Sequence, residues 1–473
     1  MAASVPGSRR RGKLPRGPHR LTEDQVAEDQ RTRLIASMVE LAGERGYAAV
    51  TVADILERAE ISRKTFYVHF ADRRDLLLSA FDATSPAAFE EIKAAAQRSG
   101  GPTRKFEAVM RRMARIARAS PGTIALATIE IAAVSPDGLE RREQLMSAYG
   151  DLIEECLSGE DTDRALPPTI ARALAGSTYR TIDARLRMGG REELTAISAQ
   201  LARWTRSHHP VPWELTSAWA VGTTRPWGGE GLLGGRAPGT LTLSPEGYEP
   251  PPEARSSGFV HHSNRERILD AVAQLVTAHG YVELTAQGIA EEADLSERAF
   301  LAHFKNKDDA FSAAVEVGHL KGQAIVERAR LASPDWRTGV RNAVGALLEF
   351  YASEPYFTRL AFVDAPLAGA AMARRTHQHA GAYARLLLDG APKRRRPPAI
   401  TPEATVHGLF ELSFHQAAQN KTAELARLAP EATYLTLAPY IGVTEAAELA
   451  VLNNGTEPAV EVDGGAREVR GSR

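Results

Sequence analysis

At 473 residues the chain exceeds what one hydrophobic core can serve, since single cores stop growing near roughly 250 to 300 residues, so two or more domains are expected. A composition of 43% hydrophobic and 25% charged residues is typical of folded proteins and excludes a wholly disordered chain. The formal net charge of −1 excludes nucleic-acid binding by overall charge alone, and the single cysteine, Cys156, excludes an intrachain disulfide.

The chain begins with a basic segment, predicted as an arm over residues 1–27. Its first twenty residues contain no acidic side chain and six basic ones: Arg9, Arg10, Arg11, Lys13, Arg16 and Arg20. Two interpretations stay open, namely a solvated disordered tail and an arm that contacts DNA phosphates or the minor groove.

An internal repeat organises the rest of the chain. Residues 31–81 align without a gap on residues 265–315 at a constant offset of 234, and fifteen of the fifty-one positions are identical. The sequence therefore predicts two copies of one module in a single chain.

The first copy has the pattern of a helix-turn-helix over residues 51–70. Gly46 follows an amphipathic helix, Thr51 precedes a second helix with Asp54 at capping-box spacing, and Ser62 begins a short third helix. We expect the third helix to enter the major groove of double-stranded DNA, with Arg63, Lys64 and Thr65 facing base edges and phosphates.

Helical periodicity continues after each copy of the repeat, and no convincing strand pattern occurs. Apolar residues recur at three-and-four spacing, which predicts helices over residues 86–98, 102–119, 123–134, 139–157, 168–187, 334–352, 355–365, 368–389 and 402–420. Residues 206–262 are rich in proline and glycine and are predicted as a linker, in which the doublet His208-His209 is expected to be solvated.

The second helix-turn-helix, over residues 285–304, departs from the first. Its third helix, the reading helix that would enter the groove, has Glu297, Ala299 and Leu301. The reading helix of the first copy has Arg63, Thr65 and Tyr67 at these positions. Residues 51–75 hold five basic and five acidic side chains, whereas residues 285–309 hold three and six. Because phosphate contacts dominate affinity for DNA, we expect the second helix-turn-helix to bind DNA more weakly or differently, through Arg298 and Lys307.

The string ISRKTFYVHFADRRDLL at 61–77, preceded by RGYAAVTVADI at 45–55, resembles the N-terminal domain of the TetR family of repressors. The resemblance covers the three-helix DNA-reading domain of each copy, which is called the head below. It does not extend into the helices that follow. It implies an all-α fold with two TetR-like modules, each a three-helix head followed by helices that bind a small-molecule effector and form a dimer. Glu60 and Asp294 replace the turn glycine common in the family, and Asp tolerates a left-handed conformation more readily than Glu.

The residues predicted to contact DNA, or to position the contacts, come from the two heads together. They are Thr51, Ser62, Arg63, Lys64, Thr65, Tyr67, His69, Arg73, Thr285, Ser296, Arg298, His303 and Lys307. For His69 and His303, phosphate contact and simple packing carry equal weight.

The predicted domains follow from these boundaries. They are the arm at 1–27, a first head at 28–88, a first helical regulatory domain at 89–205, the linker at 206–262, a degenerate second head at 263–322, a second regulatory domain at 323–450 and a disordered tail at 451–473.

The sequence therefore predicts a cytoplasmic, ligand-responsive transcriptional regulator, a repressor, in which fusion of the modules gives an intramolecular pseudo-dimer; a homodimer is the alternative. It shows no catalytic, cofactor or metal-ligand motif, so we expect neither an enzyme nor a cofactor or metal. No apolar run reaches the roughly 18 residues of a membrane span. The rival hypothesis is a helical interaction or sensor module whose heads bind a protein partner instead of DNA.

Overall fold

The computed structural model describes residues 22–132, 134–158, 166–211, 257–392 and 395–451. Most of residues 1–27, residues 212–256 of the predicted linker, and the predicted tail after residue 451 lie outside this part of the chain. Within the described ranges the fold is all-α, as predicted, with no strand. None of the described helices is long and apolar enough to cross a membrane.

The described residues of the first module form nine α-helices. They are α1 (Glu23–Arg45), α2 (Val52–Ala59), α3 (Arg63–His69), α4 (Arg73–Gln97), α5 (Pro102–Ala119), α6 (Pro121–Ala125), α7 (Pro136–Ser158), α8 (Pro168–Arg187) and α9 (Leu194–Arg206).

In the second module, residues 257–392 and 395–451 form ten. They are α10 (Ser257–His279), α11 (Ala286–Glu292), α12 (Glu297–His303), α13 (Lys307–Leu331), α14 (Trp336–Ser353), α15 (Pro355–Arg359), α16 (Ala370–Leu388), α17 (Thr401–Ala418), α18 (Ala429–Ile441) and α19 (Val443–Val451).

The repeat extends well beyond the heads. The first residues of α4 to α7 correspond to those of α13 to α16 at the same constant offset that relates the two head sequences. Each module also has one turn of π-helix, at Leu126–Glu130 and Leu360–Asp364, and these turns occupy equivalent positions of the repeat. The regulatory domains are therefore copies of one architecture.

The three-helix heads fold as their caps predict. The side chain of Thr51 accepts a hydrogen bond from the Asp54 amide at 3.2 Å, and Asp54 completes the capping box on the Thr51 backbone. Ser62 caps α3 by accepting from the Thr65 amide at 3.1 Å. Between these helices, Ile55 and Phe66 are fully buried and form the apolar wedge of the helix-turn-helix.

The helices differ from the periodicity-based prediction in three ways. Residues 86–98 are not a separate helix, because α4 runs through Pro86 and stays anchored by the buried residues Phe81 and Ala88 on both sides. The predicted helix over 123–134 is divided between α6 and the π-turn. The periodicity did not predict α9, α18 or α19.

The two regulatory domains pack on each other through α8 and α17. At their centre Arg142 and Arg180 of the first module bind Glu411 of the second, with N to O distances of 2.8 and 2.9 Å. Arg142 and Glu411 are wholly inaccessible to solvent. Gly176 makes room for this carboxylate, because a Cβ there would lie 2.2 Å from Glu411 Cγ.

His208 also belongs to this interface, which corrects the prediction that the His208-His209 doublet is solvated. Its ring is fully buried, and its Nε2 lies 3.0 Å from the Leu435 carbonyl oxygen of α18. The residues that neighbour His208 along the chain are polar, which is why the sequence predicts a solvated site. The contact with α18 of the second module buries the imidazole instead.

Candidate nucleic-acid interface

The reading helix α3 of the first head presents its predicted contact residues to solvent. Ser62, Arg63 and Lys64 are exposed, Tyr67 is 53% exposed, and Thr65 is half-buried. Phe66 points the opposite way into the core. The side chains at the helix N-terminus are therefore free to meet a groove, as a DNA-reading helix requires.

Arg73, one of the residues predicted to contact DNA or to position the contacts, packs against the rest of the first head. Its guanidinium lies over the Tyr47 ring, 4.3 Å from the centroid, and donates a hydrogen bond to the Val50 carbonyl. In the second head Lys307 lies over the Tyr281 ring at 5.3 Å. Both cations thus pack against the tyrosine that follows the first helix, and both are half-buried.

The histidines that end the reading helices are half-buried in both heads. Nε2 of His69 lies 3.0 Å from Gln30 Oε1 on α1, which ties the end of α3 to the first helix. His303 lies beside Phe304, with ring centroids 6.5 Å apart. For His69 this contact adds weight to the packing interpretation.

The second head has the same geometry with different surface chemistry. Thr285 caps α11 and Ser296 caps α12, by accepting from the Gly288 and Ala299 amides. Arg298 is exposed, but the neighbouring Glu297 is exposed too, and Leu301 is 53% exposed where the first head has Tyr67. The second reading surface is therefore acidic and apolar as well as basic.

Each head is tied to its regulatory domain by a buried carboxylate from the π-turn. Glu130 accepts a hydrogen bond from the Tyr47 amide at 2.9 Å, and Arg187 of α8 binds its other oxygen at 2.9 Å. Burial raises the pKa of Glu130, although Arg187 and the Tyr47 amide oppose that effect. The carboxylate thus joins the head to the helix that faces the other module.

Asp364 is the equivalent residue of the second module in the repeat. It accepts a hydrogen bond from the Tyr281 backbone, and Arg359 lies 3.7 Å away. Burial raises its pKa to about 7. Both residues could have been found from the sequence. Each is an acidic residue in a mainly apolar segment, and the two occupy the same position of the repeat.

A small cleft opens between the modules beside the first of these links. It has a volume of about 60 Å³. Its walls include Glu130, Asp183 and Arg187 from the first module, and Pro366, His377 and His407 from the second. Drug-sized ligand sites span roughly 300 to 1,000 Å³, so the cleft in this conformation suits a small ligand or an ion.

Two of the residues that line this cleft, together with Glu403, could hold a metal ion. His377, Glu403 and His407 bring two ring nitrogens and a carboxylate oxygen within 4.8 Å of one another. Sequence reasoning did not find the group, because His377 lies on a different helix from Glu403 and His407.

Comparison with known proteins agrees with the geometry of the heads. The family model described as bacterial regulatory proteins, tetR family, matches residues 34–80 and 268–314. No curated protein matches the chain.

Similar solved structures include the fatty acid degradation regulator FadR from Bacillus halodurans, at 16% identity and a TM-score of 0.34, covering 37% of this chain and 94% of that one. FadR from Bacillus subtilis, solved with stearoyl-CoA, has 19% identity and a TM-score of 0.33, with 37% and 97% covered. SCO4454 from Streptomyces coelicolor, a TetR-family regulator, has 19% identity and a TM-score of 0.32, with 38% and 88% covered. Similarity at this level carries no argument about ligands.

Proposed function

Because this chain is a TetR-type protein with the family's N-terminal domain in two copies, we propose that it is a transcriptional repressor that binds one operator with both heads. The observation that carries the proposal is the exposure of Arg63, Lys64 and Tyr67 on a helix whose opposite face is buried. Cations at that position neutralise phosphates and can donate to guanine in the major groove.

The buried charges between the modules support an intramolecular pseudo-dimer over a homodimer of first modules. At the repeat offset of 234, Arg142, Arg180 and Glu411 correspond to Thr376, Phe414 and Ser177, none of which is charged. Two first modules paired in the same way would therefore bury the guanidiniums without their carboxylate. Uncompensated buried charge costs several kcal/mol, so the pairing of unlike modules is favoured.

A route for effector response runs from the cleft to the first head. Arg187 lines the cleft and binds Glu130, and Glu130 accepts from the Tyr47 amide beside Arg73. An effector that draws Arg187 away would weaken this link and alter the orientation of the head. It would release DNA only in so far as it binds the released conformation more tightly.

One observation favours a second candidate function for the second head alone. Leu301 is 53% exposed and Glu297 is exposed, on a helix that would otherwise face phosphates. An apolar and acidic reading surface suits a protein partner better than DNA. The second head would then be an interaction surface while the first reads the operator.

Fluorescence anisotropy on DNA from the region upstream of the gene, over a salt series, tests the proposal. We expect salt-dependent binding that the combined Arg63→Ala and Lys64→Ala variant weakens, with a salt slope smaller by up to about 1.8, since each lost phosphate contact removes about 0.9. The combined Arg111→Ala and Arg115→Ala variant is the charge-matched control, because both residues are exposed on α5, which is not part of the reading head.

Arg298→Ala tests the second head in the same assay. A loss of affinity supports two reading heads, whereas unchanged affinity supports the interaction surface. Wild-type protein without sequence-preferring, salt-dependent binding would overturn the repressor proposal. Sedimentation is expected to give a monomer, and an obligate dimer would overturn the pseudo-dimer.

A further inference from the structure

Two helices of the second module present metal-ligand side chains to one point. His377 projects from α16, and Glu403 and His407 lie one turn apart on α17. Their ligand atoms lie within 4.8 Å of one another. Residues four apart on a helix share a face, so Glu403 and His407 point together towards α16.

Two of the three candidate ligand residues have a buried polar atom that forms no hydrogen bond. Nδ1 of His377 and Oε1 of Glu403 are both buried and have no hydrogen-bond partner. Buried polar atoms in native proteins are nearly always satisfied, so each orphan requires an explanation. A metal ion between them would satisfy both at once.

The first module supplies the groups that orient these ligands. Thr181 Oγ1 lies 2.9 Å from His407 Nδ1, and the tautomer in which Nδ1 carries the proton leaves Nε2 free to ligate. Arg185 donates to Oε2 of Glu403, which leaves Oε1 free. Metal-binding histidines commonly make such a hydrogen bond through their second nitrogen.

The guanidinium beside the site is paired with carboxylates. Arg185 donates to Glu403, and the carboxylate of Glu193 lies 4.0 Å from the Arg185 guanidinium. Arg185 therefore has carboxylate partners next to the proposed ligands.

We propose that His377, Glu403 and His407 form a binding site for a divalent transition-metal ion at the contact between the two modules. Two imidazoles and one carboxylate are ligands that Zn²⁺ accepts, and three protein ligands leave a coordination position open. Tetrahedral ligands of Zn²⁺ stand about 3.4 Å apart, so small side-chain rotations close the site on the ion.

The ion would connect the two halves of the chain. Its ligands come from the second module, whereas Thr181 and Arg185 belong to α8 of the first. His377 and His407 also line the cleft that contains Arg187. The role of the ion as effector rests on the proposed function, but the binding of the metal does not.

Titration of the full-length chain, free of a polyhistidine tag, with Zn²⁺ in a calorimeter tests the site, and Co²⁺ absorption reports the coordination. We expect one ion per chain. His377→Gln and Glu403→Gln should each weaken binding at least tenfold and change the Co²⁺ spectrum. Thr181→Val should weaken it about tenfold or more, as loss of an orienting partner does.

His279→Gln is the matched control, because His279 is exposed at the end of α10 and lies outside the cluster. His377 is half-buried, so its replacement is expected to leave the unfolding temperature nearly unchanged even if Glu403→Gln does not. Absence of stoichiometric binding, or equal affinity in wild type and His377→Gln, would overturn the site. Anisotropy on the same metal-free protein separates this failure from failure of DNA binding.

Discussion

At the residue scale, the turns of the two heads are the most constrained positions. Glu60 and Asp294 both have a φ of 51°, the left-handed region that favours glycine. An arginine at the same repeat position binds the turn in each head. Arg33 donates to the Glu60 carbonyl at 3.1 Å, and Arg267 donates to the Asp294 carbonyl at 3.0 Å. The turn therefore holds its geometry without the glycine that the family commonly has.

Glu60→Gly is expected to stabilise the protein by about 1 kcal/mol, because it removes the left-handed penalty of a side chain. Thermal unfolding measures the change. Asp294→Gly should gain less, because Asp tolerates this conformation and its carboxylate binds Arg267 at 3.1 Å. A destabilised Glu60→Gly protein would show that the turn is not strained.

At the element scale, the heads attach to their regulatory domains in unlike ways. In the first module α1 and α6 touch at two glycines, and a Cβ at Gly122 would lie 1.8 Å from the Val39 carbonyl oxygen. The equivalent positions of Gly43 and Gly122 in the second module are Thr277 and Tyr356, which line a groove there. The first head is thus seated more closely than the second.

Gly122→Ala is expected to destabilise the protein by about 1 to 3 kcal/mol, because the added methyl group forces α1 and α6 apart. It should also change operator affinity, since α1 carries the head. Unfolding and anisotropy report the two effects.

Gly100→Ala is the matched control, since a Cβ there meets nothing within 4 Å. If Gly122→Ala is as stable as this control, the close approach of α1 and α6 does not hold the head.

At the scale of the whole molecule, one buried carboxylate joins the modules. Burial by itself would raise the pKa of Glu411, but Arg142 and Arg180 outweigh that effect and hold the pKa at about 2. Both guanidiniums also lie over the Phe414 ring, at 4.2 and 5.3 Å. The contact is therefore specific to this pair of modules.

Glu411→Gln is expected to cost about 3 to 5 kcal/mol, because it leaves two buried guanidiniums without their anion. Denaturant unfolding measures the loss. Asp82→Asn, which breaks the exposed pair with Arg141, should cost less than about 1 kcal/mol. Equal effects of the two replacements would argue against a stabilising role for the buried charges.

The acid sensitivity of stability should depend on the same residue. The folded pKa of Glu411 lies below its ordinary value, so its contribution is present at neutral pH and is lost as pH falls from roughly 5 towards 2. We expect the free energy of unfolding to fall less steeply over this interval in Glu411→Gln than in wild type. Parallel curves would show that Glu411 does not titrate abnormally.

The sequence by itself determined what depends on neighbours along the chain. The caps at Thr51 and Ser62 are local patterns, and the structure confirms them. The repeat that predicts two heads is confirmed by the family model, which matches both copies. Helix type follows from periodicity in the same way, which is why α5 and α8 match their predicted bounds.

Only the tertiary structure decided which distant side chains meet. Arg73 packs on Tyr47, His208 is buried against α18, and Glu411 binds two arginines of the other module. Sequence spacing contains no information about these pairs, because burial and electrostatic pairing act between helices once they have packed. The inferred metal site at His377 arises from the same cause.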